Sequence, residues 1–340
     1  MDERLTGPIR GAALAAAVAL LPGCYYGHLA KGQLELISRR VPIAQILADP
    51  AAEPALRHRL ERALDARAFA SRQLGLPDNG SYTTYADLGR PYAVWNVFAA
   101  QELSLEPHEW CYPLVGCLAY RGFYDRARAD AAARELREAG LDVFVAGIRA
   151  YSTLGWFDDP LLSTMGGAED AVAGIIFHEL AHQAVFADGD TAFNESYASF
   201  VEQEGLRRYL QDAPELAQQA ARRLQREADH RALMLAARGR LEAVYASRAS
   251  DADKRERKHA EFERLRQEAS LPADAELNNA HLLPYGLYHQ WVPAFTRLLE
   301  QQGADWHAFH RAVAELAKLD EPERHARLEA LTKGDAHLFH

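Results

Sequence analysis

The sequence predicts an α+β fold that is mostly α-helical, with a small mixed sheet in its first half. Three observations point there. Stretches rich in Ala, Leu and Arg, or in interleaved acids and bases, read as helix over 33–74, 125–139 and 215–270. Aromatic and β-branched residues concentrate between Tyr82 and Tyr124, the composition of strands joined by turns. There is no proline from Leu161 to Thr191, and Ala171, Val172, Ile175 and Ile176 recur at helical spacing, so a helix is expected in mid-chain.

The first residues read as an export signal. Arg4 and Arg10 flank the start of an apolar run over 11–20, too short to span a bilayer as a mature helix but suited to a secretory leader. The run ends in Leu21-Pro22-Gly23-Cys24, which resembles a bacterial lipobox. The resemblance implies that 1–23 is a lipoprotein signal peptide and that Cys24 is the lipidated first residue of the mature chain, anchored to a membrane without spanning it. Tyr25, where aspartate would retain a lipoprotein at the inner membrane, points to the outer membrane of a bacterial envelope, facing the periplasm. The alternative is a plain signal peptide or a buried N-terminal helix.

The segment 33–74 follows as helix, and Pro77-Asp78-Asn79-Gly80 is a turn. Strands are expected at Tyr92-Ala-Val-Trp-Asn-Val-Phe98 and Trp110-Cys-Tyr-Pro-Leu-Val115. With Cys24 lipidated, Cys111 and Cys117 remain as an even pair for an oxidising compartment. Extended chain would hold their Cα atoms about 20 Å apart, so a disulfide needs a tight turn between them, where Pro113 and Gly116 stand. The alternative is two separately buried thiols. A helix over 125–139 closes on Gly140, a short buried strand follows over 142–146, and 152–165 reads as a strand broken at Asp158-Asp159-Pro160. These pieces make an N-terminal α+β lobe over 24–165, with an edge strand beside the mid-chain helix.

The remainder, 166–340, is a helical lobe. Thr191 is placed to N-cap a helix running through Tyr197, Phe200, Val201 and Leu206. A long charged helical pair over 215–270 and helices over 278–299 and 306–319 follow. Hydrophobic residues are 49% and charged residues 25%, as in soluble globular proteins. The formal net charge is −10, and the charges of Asp2, Glu3, Arg4 and Arg10 cancel, so the mature chain keeps it. No basic excess exists to neutralise phosphates, which excludes nucleic acid as a partner.

His178-Glu179-Leu180-Ala181-His182 is the motif that carries chemistry. Four residues advance an α-helix by about 400°, so the two imidazoles lie one turn apart on nearly one face and can converge on a metal ion. Glu179 then points to the flank where an attacking water would sit. A catalytic zinc needs three protein ligands and an open position. Glu195, in Asn194-Glu195-Ser196-Tyr197-Ala198, is the third candidate. A short loop would fold its helix back antiparallel to the first, and the small Ala198 would let the two approach closely. Asp188, Asp190 and Glu202 are rival ligands. The alternative for the motif as a whole is an amphipathic helix with surface histidines.

His-Glu-x-x-His followed by Asn-Glu-x-x-Ala resembles the glutamate-zincin metallopeptidases. Beyond it, Gly32-Gln-Leu-Glu-Leu36, Trp110-Cys-Tyr-Pro113, Tyr120-Arg-Gly-Phe-Tyr124, Asn278-Asn-Ala280 and Trp291-Val-Pro-Ala-Phe295 make the chain similar to a family of bacterial lipoprotein zinc aminopeptidases. The resemblance implies a zincin-like fold, one Zn²⁺ on His178, His182 and Glu195, and peptide substrates. In that chemistry Glu179 is the general base, and the oxyanion needs a donor besides the metal. Tyr288 is the first candidate, with His289, Tyr285 and His281 nearby, though an aromatic helix face in the core reads equally well. An aminopeptidase must also meet an α-ammonium group with an acid, and Asp158, Asp159 and Glu169 are available. By analogy with zincins, the strand before the helix would pair with an extended peptide. The alternatives are an envelope endopeptidase and a non-catalytic zincin-fold lipoprotein with a binding or scaffolding role.

Overall fold

A computed structural model describes residues 27–333 apart from 30, 113–115, 151–152, 154–156, 273 and 288–289. Cys24 and the export signal lie outside the described residues. Helix α1 (31–38) leads into a short strand, β1 (Arg40–Pro42), and then α2 (Ile43–Ala48) and α3 (Pro54–Leu74). In α3, Leu60, Ala63, Ala66, Ala70 and Leu74 recur every three or four residues and are fully buried, so the helix forms one inward stripe. Gly75 ends it in the left-handed conformation, φ 62°.

The sheet region divides into three small pieces. Strands β3 (Val94–Ala100), β6 (Arg121–Phe123) and β7 (Asp142–Ile148) pair antiparallel in the order β6-β3-β7. Alternation along β3 gives the sheet two apolar faces. Trp95, Val97 and Ala99 pack under Ala129 and Ala133 of α4 (Arg126–Glu138), while Phe98 and Ala100 face Ala280 and Leu283. Strands β4 (Trp110–Tyr112) and β5 (Gly116–Leu118) form a hairpin in which Cys111 and Cys117 stand opposite each other and are joined by a disulfide. Both are exposed, so they are not two separately buried thiols. The third sheet has the order β1-β2-β8, with β2 (Thr84–Ala86) parallel to β8 (Leu161–Leu162). Within 152–165 strand pairing is confined to these two leucines among the described residues. Before them Asp159 exchanges single hydrogen bonds with the 81–82 segment, its carbonyl accepting the Tyr82 N–H and its N–H donating to Ser81 Oγ, and Pro160 has no N–H to extend them into a ladder.

The second half is helical: α5 (Glu169–Ala184), α6 (Thr191–Tyr209), the pair α7 (Pro214–Ala246) and α8 (Asp251–Glu268), then α9 (Asn279–Leu282) running into a 3-10 turn (Leu283–Leu287). Helices α10 (Val292–Gln301), α11 (Trp306–Ala317) and α12 (Glu321–Lys333) complete it. Thr191 is not the N-cap of α6. Asp190 is: its carboxylate accepts the Phe193 N–H at 2.9 Å, which makes Thr191 the first helical residue. One apolar core runs from Leu36 and α3 through Phe177 of α5 and Tyr197 of α6 to Phe295, Phe309 and Leu331. Among the described residues no helix is long and apolar enough to cross a membrane.

Asn279 shows how the lobes of chain are stitched together. Fully buried, it donates from Nδ2 to the carbonyls of Gln101, Glu102 and Ser104 and accepts the Tyr245 hydroxyl at 2.7 Å. Every polar atom of the side chain is thereby satisfied in a place where water cannot reach it.

Candidate metal centre

Helix α5 carries His178, Glu179 and His182, and a six-residue loop returns the chain as α6. The two helices run antiparallel: Glu195 near the start of α6 meets His182, and Glu202 two turns later meets His178. Close approach depends on glycine. A Cβ on Gly174 would stand 3.0 Å from Glu202 Oε1, and one on Gly205 would stand 2.9 Å from the Phe177 ring. Ala198 is fully buried in the same seam.

The loop between the helices is held by Asn194. Its Nδ2 donates to the Ala187 carbonyl and its Oδ1 accepts the Ala187 N–H, both at 2.8 Å and both buried. That two-way clamp sets where α6 begins and so where Glu195, the next residue, points. Asp190 adds a second fastening, since its other oxygen takes Arg324 Nη1 at 2.5 Å and His325 Nε2 at 2.8 Å.

His178, His182 and Glu195 present ligand atoms that all lie within 4.8 Å of one another. His178 Nε2 is 3.3 Å from Glu195 Oε2, and His182 Nε2 is 3.6 Å from Glu195 Oε1. A tetrahedral zinc with bonds of 2.0–2.1 Å sets its ligand atoms about 3.4 Å apart, so these separations fit the ion. The other nitrogen of His178, Nδ1, is 3.3 Å from Glu202 Oε2. A carboxylate there fixes the ring's tautomer and rotation. Glu202 therefore stands behind a candidate ligand, on the far side of its ring. A second group of metal-ligating types, Glu109 with Cys111 and Cys117, is exposed, and its sulfurs are bonded to each other.

The electrostatics follow from burial and these carboxylates. Burial opposes charge on His178, yet Glu195 and Glu202 together hold its pKa well above the usual imidazole value. Burial and the neighbouring His178 push His182 down to about 4. Burial pushes the Glu179 carboxyl up to about 7 against the opposing pull of His178.

The network behind Glu179 has no signature in the sequence. Gln183, next to His182, accepts from Asn79 Nδ2 at 2.7 Å and donates to Ser81 Oγ and Asp159 Oδ2, which ties the 77–80 turn to α5. Tyr82, just beyond, has φ 62°, a left-handed backbone that costs a bulky residue about 1–3 kcal/mol. Its hydroxyl is buried and, among the described residues, without a hydrogen-bond partner. Burial, then the charges of Glu179 and Asp159, raise its pKa well above the phenol value, which places the hydroxyl in their field.

Of the other residues singled out, Asp188 is exposed in the loop and Asp190 is committed to the cap and Arg324. Asp159 is buried, its oxygens taken by Thr153 and Gln183, whereas Asp158 is exposed and accepts the Gly80 N–H at 3.0 Å. His281 closes a capping box with Asn278 and lies 4.2 Å from the Phe144 ring, centroid to centroid. Tyr285 holds its hydroxyl 3.2 Å from His230 Nε2. Tyr288, His289 and the side chain of Glu169 lie outside the described residues.

A family model described as "Putative aminopeptidase" matches residues 24–328. No curated protein matches the chain. No solved structure matches it either.

Proposed function

The chain belongs to this aminopeptidase family, and from that premise we propose that it is a zinc-dependent peptidase with a zincin-like centre, acting on peptides with a free N-terminus. The observation that carries the reading is the convergence of His178, His182 and Glu195 at tetrahedral-edge distances with Glu179 beside them. His178, His182 and Glu195 would hold one Zn²⁺. When bound, the ion would polarise the scissile carbonyl and make the attacking water more acidic.

The chain's own residues do the rest. Glu179 takes the water's proton on its carboxylate and returns it to the leaving amine. Glu202 keeps the His178 ring from turning, and Asn194 holds Glu195 in register. Asp158 keeps an exposed carboxylate on the turn tied to α5 through Gln183, so it is our candidate for the substrate ammonium; Asp159 is spent on Thr153 and Gln183. Tyr288 remains the proposed oxyanion donor. For the cell, we propose a lipid anchor on Cys24 that holds the protein at the periplasmic side of the outer membrane. The leader pattern supports this, as does a family match that starts at Cys24.

The test joins metal content to substrate form. Purified protein should hold one zinc per chain, and Glu179→Gln should keep the zinc while losing at least about 100-fold in hydrolysis. Free peptides should be cut and N-acetylated ones spared. Full activity in zinc-loaded Glu179→Gln would remove the mechanism, and equal cleavage of blocked peptides would make the protein an endopeptidase.

A further inference from the structure

A second polar site lies on the side of Glu202, whose carboxylate acts electrostatically on Arg231. A cavity of about 300 Å³ opens between the face of β3 and β7 and the α7 helix, lined by Asn96, Phe98, Ala146, Ile148, Arg231 and Tyr285. Its floor is apolar sheet. Tyr285 forms a fixed wall, because its hydroxyl is held by His230. Arg231 is half-buried and, among the described residues, has neither an ion pair nor a hydrogen bond. Asn96 likewise has no side-chain partner among them.

An arginine is rarely left this way. Five N–H donors in a half-buried setting lose part of their hydration, and a planar fork is shaped for a carboxylate or phosphate. Burial lowers the Arg231 pKa, while Glu227 and Glu202 raise it, so both carboxylates lie within electrostatic range. Glu227 and Glu202 oppose any anion here and a phosphate dianion most, so what the guanidinium offers is a directional fork of N–H donors rather than excess charge. A monoanion fits, and the apolar floor fits the carbon atoms that would carry it.

We propose that this cavity is a carboxylate-binding subsite for the substrate, with Arg231 as the group that takes the anion and Asn96 as a second donor. The proposal rests on the peptidase reading given above. It makes the preferred substrates peptides bearing a carboxylate within reach of the metal centre, either the free C-terminus of a short peptide or an acidic side chain.

Two matched peptide pairs separate those sources: a tripeptide as free acid against its C-terminal amide, and a longer peptide with Glu against Gln. Both are read as kcat/KM in the zinc-loaded wild type, and by calorimetric binding to zinc-loaded Glu179→Gln, which reports even if no peptide is cut. One pair should differ by about 10- to 100-fold, as expected for a charge-assisted hydrogen bond. Arg231→Gln should erase that difference, and Arg231→Lys should keep part of it with an unchanged melting temperature. Equal handling of both pairs overturns the proposal. So does discrimination that survives in Arg231→Gln, or a loss in that variant that is equal for all peptides and comes with weaker zinc binding, since Arg231 would then only balance the charge of Glu202.

Discussion

Replacing Asp190 tests whether the two helices of the metal centre are fixed by the fastening described. Asp190 is 3% exposed and Arg324 5%, so their ion pair is shut away from solvent. Asp190→Ala leaves a buried guanidinium without its carboxylate, which costs about 3–5 kcal/mol, and removes an N-cap worth about 1 kcal/mol. The two losses share one residue and do not simply add, so about 4 kcal/mol is expected. In a chain this long that lowers Tm by about 6 °C. Asp190→Asn keeps an oxygen for the Phe193 N–H and should cost about 3 kcal/mol, nearly all of it from the lost charge. Thr191→Ala, on an exposed residue that is not the cap, should stay within about 0.5 kcal/mol. Urea unfolding at pH 7 of the three variants ranks them. The reasoning fails if Asp190→Ala costs less than about 1 kcal/mol, or if Thr191→Ala costs as much as Asp190→Ala.

Glu202→Gln leaves the donor triad intact but removes the charge behind His178 Nδ1. Zinc affinity should fall about 10- to 100-fold with little change in melting temperature, and competition against a chromophoric chelator reads this directly. Unchanged affinity would mean that Glu202 does not orient the ring. His310 governs part of the acid sensitivity. Burial pushes its pKa down to about 4, below the 6.5 of an exposed imidazole, so the folded state favours the neutral ring. Its contribution is complete above pH 6.5 and is lost as pH falls towards 4, by about 3 kcal/mol at pH 4. Urea midpoints at pH 7 and pH 4 should show a smaller drop in His310→Gln than in the wild type, and an equal drop would contradict the assignment.

The helix bearing His178 and His182 was legible because a proline-free apolar run has few other ways to bury itself. Glu195 was legible because a six-residue loop leaves the next helix little choice but to return. Glu202 lies seven residues beyond Glu195, which puts it on the same face, yet spacing alone does not say which carboxylate meets both histidines and which meets His178 from behind. The clamp made by Asn194 has no sequence signal of its own, since its partner is the backbone of Ala187 across the loop. At 190–191 two capping residue types stand side by side, and the choice between them rests on which side chain reaches the Phe193 N–H. Strands β1 and β8, of three and two residues, are too short for any periodicity to show. Tyr82 and Arg231 are invisible for a different reason: a left-handed backbone, a buried hydroxyl and a guanidinium facing a cavity are products of tertiary packing.

The buried hydrogen bonds of His310 also bear on when the protein can fold. His310 Nε2 meets the Leu74 carbonyl at 2.7 Å and its Nδ1 meets the Tyr197 hydroxyl at 2.8 Å. The first contact closes a loop of 236 residues, and the pairing of Asp190 with Arg324 closes one of 134. Until the last helices have left the ribosome, the end of α3 and the start of α6 lack their partners, so the seam between α5 and α6 has no finished support. Closures over such sequence distances come late in folding. The seam between α5 and α6 is therefore expected to close only once the whole chain is available.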